Sequence, residues 1–275
     1  MFEALEKSTR SLYPIIGSPI KQVKSPDLFN RYFAEQGIDA EMVGIDVAPR
    51  DLGDFFDQLR VAKNVKGCVV TVPHKAASIE FVDQLSRRAE VLQAVNVIRV
   101  EDGYLQGDMV DGLGFLAALG AHRFSCENKH IGVVGIGSAG LAIAHSAAST
   151  GARAISIQDL DRARCSFAKR KLMSAFPHVE WSVGVGAQED LELIVNASPA
   201  GMNGDRRLPI SLESISQDCL VMDIVTKPET TPWIEAALDR GCPVVYGSEM
   251  IQGQFGHIAR FMGLEVPEAK KLFES

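Results

Sequence analysis

The sequence predicts an α/β protein in two domains. Three observations carry this. At 275 residues the chain exceeds the ~100–200 residues of a usual single domain. Apolar strand-length runs alternate with helix-length segments of about 10–15 residues, the pattern of parallel βαβ units. The run Gly135-Ile136-Gly137-Ser138-Ala139-Gly140 then stands between an apolar strand and an alanine-rich helix, the setting of a phosphate-cradling turn.

The elements follow in order. Tyr13–Gly17 is a short apolar strand ended by Ser18-Pro19. Asp27–Gln36 reads as a helix, with Leu28, Tyr32 and Phe33 on one stripe. Glu41–Val47 is strand-like, and Pro49–Arg60 is helical through Leu52, Phe55, Phe56 and Leu59. Gly67–Val72 is a buried strand stopped by Pro73, and Ala76–Arg88 is predicted as a helix. Val95–Val100 is a strand, with Gly103–Leu105 beyond the turn at Asp102-Gly103. Gly112–Ala121 reads as a helix leading into the second domain. There the strands are Ile131–Val134, Ile155–Gln158, Ile194–Asn196, Leu220–Asp223 and Val244–Tyr246. The helices between them are Ala139–Thr150, Asp161–Ala175 and Pro232–Arg240. Gln252–Met262 is an apolar-striped helix expected to pack back on the first half.

Composition removes several function classes. Hydrophobic residues make up 46% and charged residues 23%, which excludes a disordered or fibrous chain. A formal net charge of −7 gives no basic nucleic-acid footprint. The opening Met1-Phe2-Glu3-Ala4-Leu5-Glu6-Lys7 is acidic where a signal peptide would be basic. His130–Ala152 lacks Asp, Glu, Lys and Arg, but Gly132, Gly135, Gly137, Gly140, Ser138, His145, Ser146 and Ser149 argue against a membrane span. Five cysteines with no Cys-x-x-Cys pair fit a reducing cytoplasm and argue against disulfides or zinc. No metal-ligand spacing occurs, so no metal is expected. His74 is expected at the surface, and Trp181 and Trp233 as partly buried packing residues.

The glycine run matches G-x-G-x-x-G. Gly135 permits the tight turn, Gly137 lets the backbone approach a pyrophosphate, and Gly140 lets helix and strand pack closely. The backbone at Ser138 and Ala139 opens the helix, whose free N–H groups favour phosphate. Asp159 lies nineteen residues after Gly140, near the expected ribose-binding acid. A carboxylate there repels a 2′-phosphate, so NAD is preferred, with NADP possible through Arg162 or Arg164. The competing reading of Asp159 is a helix N-cap.

The run Val70-Thr71-Val72-Pro73-His74-Lys75, then Ala94-Val95-Asn96, then Gly107-Asp108-Met109-Val110-Asp111-Gly112, then the glycine turn, resembles the shikimate dehydrogenase family. So does Asn196-Ala197-Ser198-Pro199-Ala200-Gly201-Met202. The resemblance covers roughly the whole chain, in order. It implies a discontinuous N-terminal α/β catalytic domain and a Rossmann-type dinucleotide-binding domain, with the active site in a cleft between them. The expected boundaries are 1–112 completed by 243–275 for the first, and 113–242 for the second. It also implies reversible hydride transfer between a nicotinamide and a ring hydroxyl, as in shikimate and 3-dehydroshikimate. Lys75 falls on the family's catalytic lysine and Asp111 on its partner aspartate. Thr71, Asn96 and Gln254 fall on hydroxyl-holding positions, Ser25 on one of two carboxylate-binding serines, and Asn196 and Ala197 on the cofactor-side loop. The implied partner is a small cyclic hydroxy acid, with neither nucleic acid nor membrane.

The departures cluster. The family's Ser-x-Ser is Val23-Lys24-Ser25 here, and its Asp-x-x-Tyr is Asp223-Ile224-Val225-Thr226. Its Asn-Thr before the catalytic aspartate is Met109-Val110, and the threonine after the substrate asparagine is Val97. The hydroxyl-reading and proton-transfer end is thus intact, whereas the carboxylate-reading end has lost hydrogen-bonding groups. Each lost charged hydrogen bond is worth roughly 1.5–3 kcal/mol. The expectation is a divergent paralogue with weak or altered use of shikimate. The alternatives are an NAD-dependent quinate or quinate/shikimate dehydrogenase and a catalytically silent dinucleotide-binding sensor.

Overall fold

The structure is a computed structural model and describes residues 9–21, 23–185 and 190–266. It divides into two compact units, one of residues up to Val110 with those from Phe255 onward, the other Asp111–Gln254.

The first unit holds a six-stranded mixed sheet in the order β2-β1-β3-β5-β6-β4. Its strands are β1 (Ser11–Gly17), β2 (Ala40–Asp46), β3 (Gly67–Val70), β4 (Gln84–Leu85), β5 (Val97–Glu101) and β6 (Tyr104–Asp108). β1 pairs in parallel with β2 and β3, connected through α1 (Ser25–Gln36) and α2 (Leu52–Val61). α2 buries its predicted stripe, Leu52, Phe55, Phe56 and Leu59; α1 buries Tyr32 and Phe33 as predicted, but with Phe29 in place of Leu28, which is only half-buried. β5 and β6 form an antiparallel hairpin instead of another parallel unit. Its turn uses two positive-φ residues, Asp102 at 49° and Gly103 at 80°, the geometry that matches strand twist.

The helix predicted over Ala76–Arg88 is corrected. That stretch is a 3-10 turn (Ala77–Phe81), then β4, and then α3 (Arg87–Leu92) begins. Two side chains break the run. Asp83 accepts from both Arg60 guanidinium nitrogens and from Leu105 N–H, so it is tied across the sheet edge. Ser86 accepts from Ala89 N–H and caps α3, restarting the helix there.

The second unit is wholly parallel, in the order β12-β11-β10-β7-β8-β9. Its strands are β7 (His130–Val134), β8 (Ala154–Gln158), β9 (Glu180–Val183), β10 (Leu193–Asn196), β11 (Leu220–Asp223) and β12 (Val244–Val245). The helices are α4 (Asp111–Ala121), α5 (Ser138–Ser149), α6 (Arg162–Ala175), α7 (Pro232–Asp239) and α8 (Gly247–Phe261). Taking β7 as first, the spatial order is that of a doubly wound dinucleotide-binding sheet, with its switch point between β7 and β10. The short edge strand β9 is not among the strands that the sequence pattern predicts.

The expected return to the first unit at 243 is too early. β12 pairs with β11, Val221 opposite Val244, so this strand belongs to the second sheet. The division falls inside α8, where Phe255 turns its ring onto Phe29 and Tyr32, with centroids 4.6 and 5.3 Å away. At the other boundary, Asp111 and Gly112 open α4 and belong to the second unit. Trp233 is fully buried in the core of that unit and Trp181 nearly so. All five cysteines are free and buried.

Candidate functional site

The glycine turn leaves β7 at its C-terminal end. Gly135 takes φ 92°, a conformation costly for any side chain, and a methyl there would lie 2.5 Å from Ser198 N. A methyl on Gly140 would run into the Gly135 carbonyl. At Gly137 the space is open, and this residue caps α5 without any side-chain hydrogen bond. The first turn of α5 at Ser138 and Ala139 therefore has no side-chain cap for its N–H groups, which suits a pyrophosphate.

Asp159 follows β8 and faces this turn. Its Oδ2 accepts from Ile136 N–H at 2.7 Å and its Oδ1 from Asp161 N–H at 2.9 Å. The N-cap of α6 is Asp161, which accepts from Ala163 and Arg164 N–H. The capping alternative for Asp159 is thereby set aside. Arg162 and Arg164 are exposed on the first turn of α6, and Arg164 Nε lies 3.6 Å from Asp161.

Asn196 braces its loop from within. It is fully buried, and its Nδ2 donates to Ala200 O and to Asp223 Oδ1. Its Oδ1 accepts from the Ser198 N–H and hydroxyl. Its hydrogen bonds shape the loop and tie it to Asp223. Asp223 also accepts from Val225 N–H and Thr231 Oγ1–H. Burial pushes its carboxyl above the ordinary value, opposed by those donors. Ala197 is half-buried against Gly140, and its N–H donates to Val134 O at 2.7 Å.

Also in this unit, Asp111 opens α4 almost wholly buried. Gln254 on α8 donates Nε2–H to Asp111 Oδ1 at 3.1 Å. The structure thus brings together two of the residues that the sequence singles out, although they stand far apart along the chain.

In the first unit, Thr71, Lys75, Ser25 and Asn96 are placed by the ends of β3, α1 and the β5 approach. Thr71 and Lys75 are half-buried. Thr71 N–H donates to Ile16 O, and the Lys75 carbonyl accepts from Val95 N–H at 2.9 Å. Between them, His74 is buried and donates Nε2–H to Val47 O at 2.7 Å, against the surface placement expected. It plugs the loop that presents Lys75, a role nothing in the local sequence signals. Asn96 is buried, and its Oδ1 accepts from Val110 N–H at 2.8 Å. Ser25 is half-buried at the start of α1. Asp108, next to this strand end, is a buried carboxylate held by Arg88 and Ser86. Nearby His257 is half-buried, and burial first, then the Arg260 and Arg88 cations, hold its imidazole below the ordinary value.

A second polar array lies in the β7–β8 region. His130 Nδ1 is 2.9 Å from Asp190, its Nε2 is 2.8 Å from Ser156 Oγ, and Ser156 Oγ is 2.7 Å from Ser182 Oγ. It has the composition of a nucleophile–base–acid set, but Ser156 has no exposed surface. The array is structural. No cluster of metal-ligating side chains occurs among the described residues, and no described helix is long and apolar enough to cross a membrane.

A doubly wound sheet carrying this glycine turn and Asp159 defines a dinucleotide-binding α/β protein. Residues 15–98 match the shikimate dehydrogenase substrate binding domain. A shikimate dehydrogenase (NADP(+)) of Dinoroseobacter shibae is 33% identical over 240 residues, covering 86% of each chain. One from a Ruegeria species is 32% identical, covering 87% of this chain and 88% of its own. A crystal structure of shikimate 5-dehydrogenase from Listeria monocytogenes, in complex with shikimate and NAD, superposes with a TM-score of 0.88. It is 26% identical, with 96% of both chains covered. The chain belongs to the shikimate dehydrogenase family.

Proposed function

We propose that this protein catalyses reversible hydride transfer between a nicotinamide dinucleotide and a ring hydroxyl of shikimate or a related cyclic polyhydroxy acid, with NAD preferred. The observation that carries the reaction is the relationship to a shikimate dehydrogenase (NADP(+)) over 86% of both chains, with Lys75 and Asp111 present in the sequence; the NAD preference rests on Asp159 alone.

The dinucleotide, when bound, supplies the hydride acceptor or donor. The chain supplies the rest. In alcohol oxidation the hydroxyl proton passes to neutral Lys75 Nζ; in ketone reduction the Lys75 ammonium returns it to the forming alkoxide. Asp111 stabilises the ammonium. Thr71, Asn96 and Gln254 orient ring hydroxyls, and Ser25 holds the carboxylate. The turn from Gly135 to Gly140 holds the pyrophosphate, with Ser138 and Ala139 donating from the helix start. Asp159 takes the ribose hydroxyls, and Ala197 lies beside the turn with Asn196 shaping its loop.

The substrate reading follows from the departures. Met109, Val110 and Val97 are core residues, so those changes are packing changes. Val23 and Thr226 are half-buried and stand where the family holds the carboxylate, so the acid end is the altered one. This supports a divergent paralogue that uses shikimate weakly, with quinate as the second candidate.

Initial rates followed by nicotinamide absorbance, crossing shikimate and quinate with NAD and NADP, test the proposal. Turnover with NAD, abolished in Lys75→Ala while NAD binding is kept, is the expected result. Faster turnover with NADP would overturn the NAD preference. Dinucleotide binding with no turnover of either acid would overturn the substrate class and favour the sensor reading.

A further inference from the structure

We propose that Gly114 is a positioning residue: its bare Cα is the seat on which the Gln254 side chain crosses from α8 to Asp111. The role assigned to the Asp111–Gln254 pair rests on the function proposed above; the geometry stands on its own.

Glycine is unfavourable inside a helix, yet α4 begins Asp111-Gly112-Leu113-Gly114. Both glycines are places of close approach. A methyl on Gly112 would collide with Ser146 Oγ and come within 2.5 Å of Ala142 O, both on α5. A methyl on Gly114 would overlap Gln254 Cγ and lie 2.8 Å from Met250 O, both on α8. The facing residue on α8 is also a glycine. A methyl on Gly253 would lie 2.6 Å from Gly114 O and 2.9 Å from Ala117 Cβ. By contrast, Gly120 on the same α4 has nothing within 4 Å of such a methyl.

The crossing of α4 and α8 is therefore set by a glycine-to-glycine contact, and the stem of Gln254 lies directly on it. At 3.1 Å the amide–carboxylate bond is already near the long end of the usual range. Any side chain at 114 displaces the stem and lengthens it further. The bond also fixes how Gln254 is used. An ionised carboxylate only accepts, so the amide must turn Nε2 to Asp111. Its Oε1 is then the end available to accept a hydroxyl proton from a ligand.

The test uses the full chain and two readouts. In ¹⁵N spectra the Gln254 side-chain amide, assigned by its loss in Gln254→Ala, is expected away from the position of solvent-exposed glutamines and to move in Asp111→Asn. In Gly114→Ala it is expected to collapse to the exposed position. KM for shikimate or quinate then rises at least tenfold, while NAD affinity stays within about twofold. Gly120→Ala changes neither. A merely structural role would lower the melting temperature but leave the KM of the folded enzyme and the amide resonance as in the wild type, and that result overturns the proposal. If Gly114→Ala does not fold, Gly253→Ala, whose methyl would lie 2.6 Å from Gly114 O and 2.9 Å from Ala117 Cβ, presses on the same crossing and must give the same two changes. A wild-type Gln254 amide at the exposed position also overturns it. Absence of turnover in the wild type would count against the proposed function alone, since the resonance still decides the positioning.

Discussion

Replacing Asp159 with asparagine separates the cofactor reading from a purely structural one. In the structure one carboxylate oxygen accepts from Ile136 N–H at 2.7 Å and the other from Asp161 N–H at 2.9 Å. Asparagine is isosteric and keeps one acceptor, so one of these two bonds survives. The cost to stability is then about 1 kcal/mol, the worth of an ordinary hydrogen bond. The cost to NAD is larger. A ribose hydroxyl bonded to a carboxylate is worth roughly 1.5–3 kcal/mol, and tenfold in affinity corresponds to about 1.4 kcal/mol. NAD kcat/KM should fall by about 10- to 100-fold. NADP should hold or improve, because a negative charge facing its 2′-phosphate is gone and Arg162 and Arg164 stand close in sequence. The assay is the ratio of kcat/KM for the two dinucleotides with one substrate, with a thermal melt to show that the variant is folded. A ratio unchanged within twofold would refute the reasoning. Asp159 would then be a residue that only braces the glycine turn.

The remaining predictions concern the supports of the site. His74→Ala leaves the buried Val47 carbonyl without its donor, at a cost of roughly 1–3 kcal/mol. It should lower kcat more than NAD affinity, because the loop it plugs carries Lys75; equal kcat in the folded variant would count against that. The hydrogen bond from His130, with a smaller contribution from Arg153, holds the Asp190 carboxyl below its ordinary value. A depressed carboxylate stabilises the fold above its unfolded value near pH 4 and loses that contribution as pH falls below it. Urea unfolding between pH 3 and 5 should therefore be steeper in pH for the wild type than for Asp190→Asn. Burial pushes the Cys126 thiol up to about 11 and Cys219 to about 12. All five thiols should react with a disulfide reagent only on unfolding, and prompt labelling of the native protein would contradict this.

The legible parts of this protein are those in which chemistry forces a local pattern. A backbone that must approach a pyrophosphate needs glycines at fixed offsets after a strand, and the run from Gly135 to Gly140 follows β7 as the spacing requires. The distance to Asp159 is set by one helix and one strand, so counting residues finds it. Alternating strands and helices likewise give the second sheet almost whole. What the sequence hides is decided by partners far along the chain. Ala76–Arg88 carries enough helix formers to read as one helix. The tertiary bonds of Asp83 to Arg60 and Leu105, with Ser86 capping the helix that restarts at Arg87, break it into three pieces.

The same principle explains why individual side chains are harder to assign than motifs. Asn196 sits in a run that signals a cofactor loop, yet its carboxamide is bonded to Ala200 and Ser198 in that loop and to Asp223 at the end of β11. His74 is one position from Lys75 and is turned inward by the Val47 carbonyl, just beyond the end of β2. A motif marks where the backbone must go; which side chains face a ligand depends on what fills the space behind them. Gly114 is the extreme case. It has no side chain to recognise and no turn to make, and its significance is visible only once α8 is laid across it. Sites of this kind are found by asking what a methyl group would strike, and here it would strike the residue that binds Asp111.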